Sequence, residues 1–364
     1  MQRVCVIGPV PPWRGGISDH TAYLSSALGE FANVHVYSFS RQYPKFLYPG
    51  QAQKAGIRDI PNVQEVRFII DSLNPITWLK CLILVREVRA DTVVIPWWSN
   101  FWLPQTLFFL LSLKQFHVRS ILICHNSLPH EGSLASRLLA SVIFKAPDFV
   151  VAHSVTEKSK ILELGRRRKV LVNFHPPYDH FPKVRYPLKR RASIELLFFG
   201  FIRDYKGVDI LLDALGDLPR NFAITIAGEC WCDKDLLLNQ VRRLRLEDNV
   251  EFIFEFVSDE RASALFSRAD IVCLPYRSST GSGIIPTAYK FGKPVIASTA
   301  GSNEEMVLNG KSGWLFEPEN TNDLERILRS IIENGIPDMS VGIEEMLKRL
   351  SWSTYAASLL APEP

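Results

Sequence analysis

The stretch Thr280-Gly-Ser-Gly-Ile-Ile-Pro-Thr-Ala-Tyr-Lys-Phe-Gly-Lys-Pro-Val295 decides the fold. It follows an apolar run, Asp270-Ile-Val-Cys-Leu-Pro275, that reads as a buried strand. It then opens an apolar helix whose first turn holds Ser282, Gly283 and Pro286. Proline fits there because the first helical amides have no partner within the helix. Gly292-Lys293-Pro294 ends the helix and leads into a second apolar run from Val295. Strand, glycine-bearing turn and helix start make an anion site, since free amides and a close backbone approach suit a phosphate.

Working outward, short apolar runs alternate with helical periodicity along the whole chain. In the first half the strands are read at Val4–Ile7, Val34–Tyr37, Glu65–Ile70, Thr92–Ile95, Ser120–Cys124 and Phe149–Ala152. In the second half they are read at Leu196–Gly200, Phe222–Ala227, Val250–Phe254, Ile271–Pro275 and Val295–Ser298. Helical patterns separate them, an alternation that argues for parallel sheets covered on both faces. The fold class expected is therefore α/β, with two doubly wound, Rossmann-like domains. The boundaries read as 1–181 and 192–340, joined by the Pro- and Lys/Arg-rich linker Phe181–Arg191, with closing helices over 341–364. Such sheets bind ligands at the carboxyl ends of their strands, so a cleft between the two domains is expected.

Composition narrows the function. The 364 residues are 47% apolar and 22% charged, ordinary for a globular protein. A net charge of +4 is too small to imply nucleic acid as a partner. The bases are uneven, however: Lys158–Arg191 holds eleven Lys/Arg against two acids. That run reads as a solvated face and linker, or as a contact with anionic lipid or an acidic acceptor. Six scattered cysteines fit a reducing compartment, and Cys230-Trp-Cys232 lacks the second pair a zinc site needs. The amino terminus enters a strand directly, without a signal-peptide pattern. The most apolar stretch, Val93–Leu113, is interrupted by Ser99, Asn100, Pro104 and Gln105 and reads as a strand and a core helix. Its Trp97–Trp102 cluster reads as core or as a membrane-surface contact. A cytoplasmic protein, soluble or peripheral on the inner membrane face, is the expectation.

Four loops carry candidate chemistry. Pro11-Pro-Trp-Arg-Gly15-Gly16 follows the first strand, where a Gly-Gly turn admits phosphates. It lacks the three-glycine dinucleotide spacing, and no acid ends the second strand at Tyr37–Ser40, which counts against a nicotinamide site. His125-Asn-Ser-Leu-Pro-His130-Glu131 follows a strand end; His125 can hold a sugar hydroxyl or simply pack, and Glu131 can accept from an acceptor hydroxyl. His153 reads as structural, and His20 as facing either the cleft or solvent. Phe199-Gly200-Phe-Ile-Arg203-Asp-Tyr-Lys206-Gly207 places two cations before a helix, a pair suited to a diphosphate. Glu304 or Glu305, in Gly301-Ser-Asn-Glu-Glu305, can bind sugar or ribose hydroxyls or serve as a helix-start acid.

Taken together, these segments resemble the family-4 glycosyltransferases of the GT-B fold, retaining enzymes that use nucleotide sugars. The resemblance runs through Pro11–Gly16, His125–Glu131, Gly200–Gly207, Gly292-Lys-Pro294, Glu305 and Gly310-Lys-Ser-Gly313. It implies that the second domain binds the donor, UDP- or GDP-linked, and that the last helices cross back to the first. It implies Arg203 and Lys206 on the diphosphate and His125 near the reacting carbon. Gly15, Gly16, Gly200, Ser279, Thr280, Gly281, Ser282, Gly283, Thr287 and Glu305 would line the donor site, and His130 and Glu131 the acceptor side. No essential metal and no nucleic acid are expected; the partners are a nucleotide sugar, a glycan or lipid-linked acceptor, and an anionic membrane surface. Two departures stand out. The family's paired glutamates correspond to Ser279 and Thr287, and the usual arginine after Gly200 is Phe201. A non-catalytic nucleotide-sugar-binding subunit, and an epimerase or phosphorylase of the same shape, are the alternatives.

Overall fold

A computed structural model describes residues 1–44, 54, 59–125, 134–164, 169–179, 181–279 and 282–361. The chain divides into two compact units, Met1–Phe174 with Ser351–Pro364, and His175–Leu350.

The first unit is built on seven parallel strands. They are β1 (Arg3–Ile7), β2 (Asn33–Arg41), β3 (Glu65–Asp71), β4 (Thr92–Trp97), β5 (Arg119–Cys124), β6 (Phe149–Ala152) and β7 (Val170–Val172). Their order across the sheet is β3-β2-β1-β4-β5-β6-β7. Alternation within each strand feeds two cores. Val4, Val6 and Val94 face one side, with Leu24 and Leu28 of α1 (Gly16–Leu28). Cys5, Val93 and Ile95 face the other, with Phe109 and Leu113 of α3 (Leu103–Gln115). With both faces covered, every residue of β4 is buried. Local signals set the helix starts. The Asn74 side chain accepts from the Ile76 amide at α2 (Pro75–Glu87), and Ser154 accepts from the Glu157 amide at α5 (Val155–Glu163). Between them lies α4 (Leu134–Lys145).

The second unit carries six parallel strands, β8 (Ile194–Phe199), β9 (Phe222–Ala227), β10 (Val250–Ile253), β11 (Ile271–Leu274), β12 (Val295–Ser298) and β13 (Gly313–Phe316). Their order is β10-β9-β8-β11-β12-β13. The helices are α6 (Val208–Leu215), α7 (Lys234–Arg243), α8 (Asp259–Arg268), α9 (Ile284–Lys290), α10 (Asn303–Met306), α11 (Thr321–Asn334) and α12 (Ser340–Arg349). The strand order reverses between β8 and β11. In an open parallel sheet that switch point is where ligands bind.

Two segments pack otherwise than their sequence patterns suggest. Phe181–Arg191 is not a free linker. Phe181 packs on Phe266 and Phe291, the Pro182 carbonyl accepts from Ser263, and Arg190 grips Asp270. The chain changes unit earlier, at Phe174. Of the closing helices only α13 (Trp352–Leu360) joins the first unit, where Trp352 stacks on Tyr23 of α1. α12 stays with the second and buries Ile343 and Met346. The aromatic cluster is core: Trp97 and Trp102 are each 2% exposed, and the Trp98 and Trp102 indoles both donate to the Tyr43 hydroxyl. Several bases of Lys158–Arg191 are likewise occupied. Lys160 pairs with Glu157, Arg191 with Glu251, and Lys169 lies over Phe149. Among the described residues, no helix is long and apolar enough to cross a membrane.

Candidate active site

At the switch point of the second unit, the loops after β8 and β11 are clasped together. The Arg277 amide donates to the Tyr205 carbonyl, and its guanidinium donates to the Asp204 carbonyl and bidentately to Asp209 of α6. Desolvation pushes the Asp209 carboxyl up, but the Arg277 bonds outweigh it and hold the pKa below its ordinary value. Gly207 adopts φ 65, and a Cβ there would lie 2.0 Å from the Pro275 carbonyl oxygen. Only glycine lets the two loops approach so closely. The same device joins β11 to β12, since a Cβ on Gly301, at φ 61, would lie 1.7 Å from the Ser279 carbonyl oxygen.

The clasp positions Lys206. Its Nζ reaches the Tyr276 hydroxyl at 3.4 Å and lies over that ring. A Cβ on Gly200 would sit 3.3 Å from the same Nζ and 4.0 Å from Ile284, so Lys206, Gly200 and the start of α9 converge. Burial lowers the Lys206 pKa, Tyr205 partly offsets that, and the nearby Arg203 adds a smaller lowering. Burial raises the Tyr276 hydroxyl to about 12, and a bond from Ser282 partly offsets it. Arg203 stacks its guanidinium on Trp231, 4.0 Å from the ring centroid, and its Nε is buried without a partner among the described residues. Phe201 packs on the same indole, so the family's usual arginine has given way to an aromatic shelf that supports Arg203.

Further buried polar atoms collect at the same strand ends. Ser279 Oγ, Ser302 Oγ and both amide atoms of Asn303 have no partner among the described residues. Leaving such atoms unmatched costs about 1–3 kcal/mol each, which a bound ligand would recover. Thr287 is different: its hydroxyl donates to the Gly283 carbonyl one turn back. Ser282 Oγ accepts from the Ile284 amide, and Gly283 lies against Tyr178 and His175. Glu305 is half-buried on α10. Thr280, Gly281, His130 and Glu131 fall outside the described residues. A hollow lined by Asp270, Lys290, Lys293 and Pro294 opens at the amino ends of β11 and β12, away from this site.

In the first unit, Gly15 and Gly16 begin α1, and His125 ends β5 with its amide bonded to the Trp97 carbonyl. His20, read as facing either cleft or solvent, is 1% exposed and sits edge-on to His125 at 4.6 Å. His153 lies 3.2 Å from His125. Sequence reading names Arg203, Lys206 and His125 individually as candidates. It missed Tyr276, Trp231, Ser302 and Asn303, whose one signal is a place just past a strand end.

Two doubly wound parallel sheets, one with a lysine and an arginine at its switch point, have the layout of an α/β nucleotide-binding fold. The model for Glycosyl transferases group 1 matches residues 185–351. A glycosyltransferase of Methanocaldococcus jannaschii is 30% identical over 348 residues, 94% of this chain and 92% of that protein. The GDP-mannose:glycolipid 4-beta-D-mannosyltransferase of Xanthomonas campestris pv. campestris is 27% identical over 172 residues, 45% of this chain and 49% of that protein. HepE of Anabaena, solved in complex with UDP, superposes with a TM-score of 0.74 at 19% identity, covering 99% of this chain and 98% of that one. The chain belongs to the group 1 glycosyltransferases and has their two-domain GT-B fold. It is a glycosyltransferase.

Proposed function

We propose that this enzyme moves a hexose from a UDP- or GDP-linked donor to a glycan or lipid-linked acceptor, with retention at the anomeric carbon, in cell-surface polysaccharide or glycolipid synthesis. The observation that carries it is the half-buried, desolvated Lys206 ammonium, set beside Arg203 at the switch point of the second unit. A desolvated cation without a carboxylate partner among the described residues is costly, and a diphosphate is the anion that repays it.

In the reaction the acceptor hydroxyl oxygen bonds to the anomeric carbon, and the bond from that carbon to the diphosphate oxygen breaks. The electron pair leaves with the nucleoside diphosphate, and the hydroxyl proton passes to a donor phosphate oxygen on the same face. Lys206 and Arg203 neutralise the charge that develops on the leaving group, where fixed cations act without reorganising. No resident metal is required by this scheme. His125 accepts a hydrogen bond from a sugar hydroxyl and fixes its orientation. Ser279, Ser302 and Asn303 bond donor hydroxyls or phosphate oxygens, taking the part of the missing carboxylates without charge.

A thermal-shift screen of nucleoside diphosphates, followed by hydrolysis of radiolabelled UDP- and GDP-hexoses, tests the reading. One diphosphate is expected to raise the midpoint, by a stabilisation of about 2.7 kcal/mol at a hundredfold excess over Kd. Slow hydrolysis of its hexose should accompany it and survive a chelator. If no diphosphate shifts the midpoint, or one binds and no donor turns over, the proposal fails.

A further inference from the structure

One backbone carbonyl fixes the hydrogens of two histidines in the first unit. His153, just past β6, places Nδ1 3.0 Å from the Asn173 carbonyl oxygen. A carbonyl only accepts, so His153 Nδ1 carries the hydrogen. Burial lowers the His153 pKa to about 4, so the ring is neutral near pH 7 and its Nε2 is bare. That Nε2 lies 3.2 Å from His125 Nδ1. The hydrogen between the two rings therefore belongs to His125, and a neutral His125 is left with a bare Nε2.

We propose that His153 is a positioning residue which, anchored by the Asn173 carbonyl, sets the tautomer of His125 so that His125 Nε2 presents a lone pair to a substrate hydroxyl. The functional half rests on the reading of His125 given above; the tautomer itself does not. The anchor is held in turn, because the Asn173 side chain donates to Ser358 Oγ of α13 at 2.7 Å. Rings enclose the pair: His20 of α1 lies 4.6 Å from His125 and 5.1 Å from His153, and Tyr355 of α13 lies 6.2 Å from His153. The charged group nearest the pair on α5 is Glu157, whose carboxylate is bound by Lys160 at 2.8 Å. Cys124, next to His125, is a buried thiol.

The ring nitrogens of His20, His125 and His153 also lie within 4.8 Å of one another, close enough to hold a metal ion. Ligation takes a hydrogen-free nitrogen from each ring and turns it to the ion, so that none is left for a substrate hydroxyl. The two readings differ in the metal content of the protein.

The test is a long-range proton–nitrogen correlation spectrum of the full chain labelled with 15N-histidine, with metal content measured on the same sample. The expected result is a neutral Nδ1–H tautomer at both His125 and His153, with no stoichiometric metal. In His153→Phe the His125 signals should move to a mixture of tautomers. Donor turnover should fall by about 10- to 100-fold in kcat, the scale of a misplaced contact, with little change in KM. His153→Gln, whose carboxamide oxygen accepts from His125, should recover most of it. A hydrogen on Nε2 of wild-type His125, one bound metal per chain, or an unchanged Nδ1–H signal in His153→Phe would overturn the proposal. If His153→Phe fails to fold, the wild-type spectrum alone decides. If the tautomer is confirmed but turnover is unaffected, the substrate role of His125 fails and its tautomer stands.

Discussion

Replacing Lys206 by methionine lowers donor turnover by about 10²–10³-fold, the usual cost of removing one preorganised group that stabilises developing charge. The loss falls on kcat and on kcat/KM alike, because the ammonium matters most when the diphosphate gains charge. The same change raises stability. Lys206 lies half-buried against Tyr276 with its pKa held down mainly by desolvation, so the folded enzyme bears the cost of a charge without a carboxylate partner among the described residues. The sign follows from linkage. Below its lowered folded pKa, Lys206 is charged in both states and the destabilisation is fully present. As pH rises from that value toward the ordinary 10.5, the unfolded chain holds the proton and the folded one does not, so wild-type stability recovers. The methionine variant should therefore be the more stable protein at pH 7, and its advantage should shrink in alkali. Equal stabilities at pH 7, or a variant with full turnover, would contradict the assignment.

Arg268→Ala has the largest expected effect on stability. Arg268 ends α8 with its side chain 8% exposed, its Nε 3.6 Å from the 1%-exposed Glu195 carboxylate of β8. Its Nη2 also bonds Thr225 at 2.5 Å and Glu251 at 3.2 Å. Glu195 is further bound by the Arg191 and Ala192 amides, so its carboxylate cannot turn outward when the arginine is removed. An orphaned charge of that kind costs about 3–5 kcal/mol. Denaturant unfolding should show a midpoint shift of that size with an unchanged slope. The double variant Arg268→Met with Glu195→Gln should recover most of the loss, because it removes the charge that had been stranded. A loss below about 1 kcal/mol for the single variant would place the network among weak surface pairs.

The strands and helices that form the two cores were legible because their patterns are long and their faces fully covered. Thr92–Trp97 and Phe222–Ala227 are apolar but for Thr92 and Thr225, and buried throughout. The elements missed are short: β7 has three residues behind a basic run, β13 opens on Gly313, and α10 has four residues. Burial of so few side chains leaves little periodicity to read. The unit boundary was misplaced for a related reason. Prolines and bases over Phe181–Arg191 mimic a linker, while the contacts that hold the segment, Phe181 on Phe291 and Arg190 on Asp270, come from distant positions. Among the candidate functional residues, residue type and place after a strand point to Arg203, Lys206 and His125. The buried Tyr276 hydroxyl, the Trp231 shelf and the His125–His153 pair needed the fold, since each depends on which loops the sheet order makes neighbours.

The central claim is that Lys206 and Arg203 bind the diphosphate of the donor. A crystal structure of the enzyme with bound UDP or GDP, whichever shifts the melting midpoint, tests it most directly. Phosphate oxygens within hydrogen-bond distance of Lys206 Nζ and of the Arg203 guanidinium, beside Gly200 and the start of α9, are the predicted result. A nucleotide bound elsewhere, or one whose phosphates leave Lys206 on Tyr276 and Arg203 on Trp231 without touching either, would contradict it.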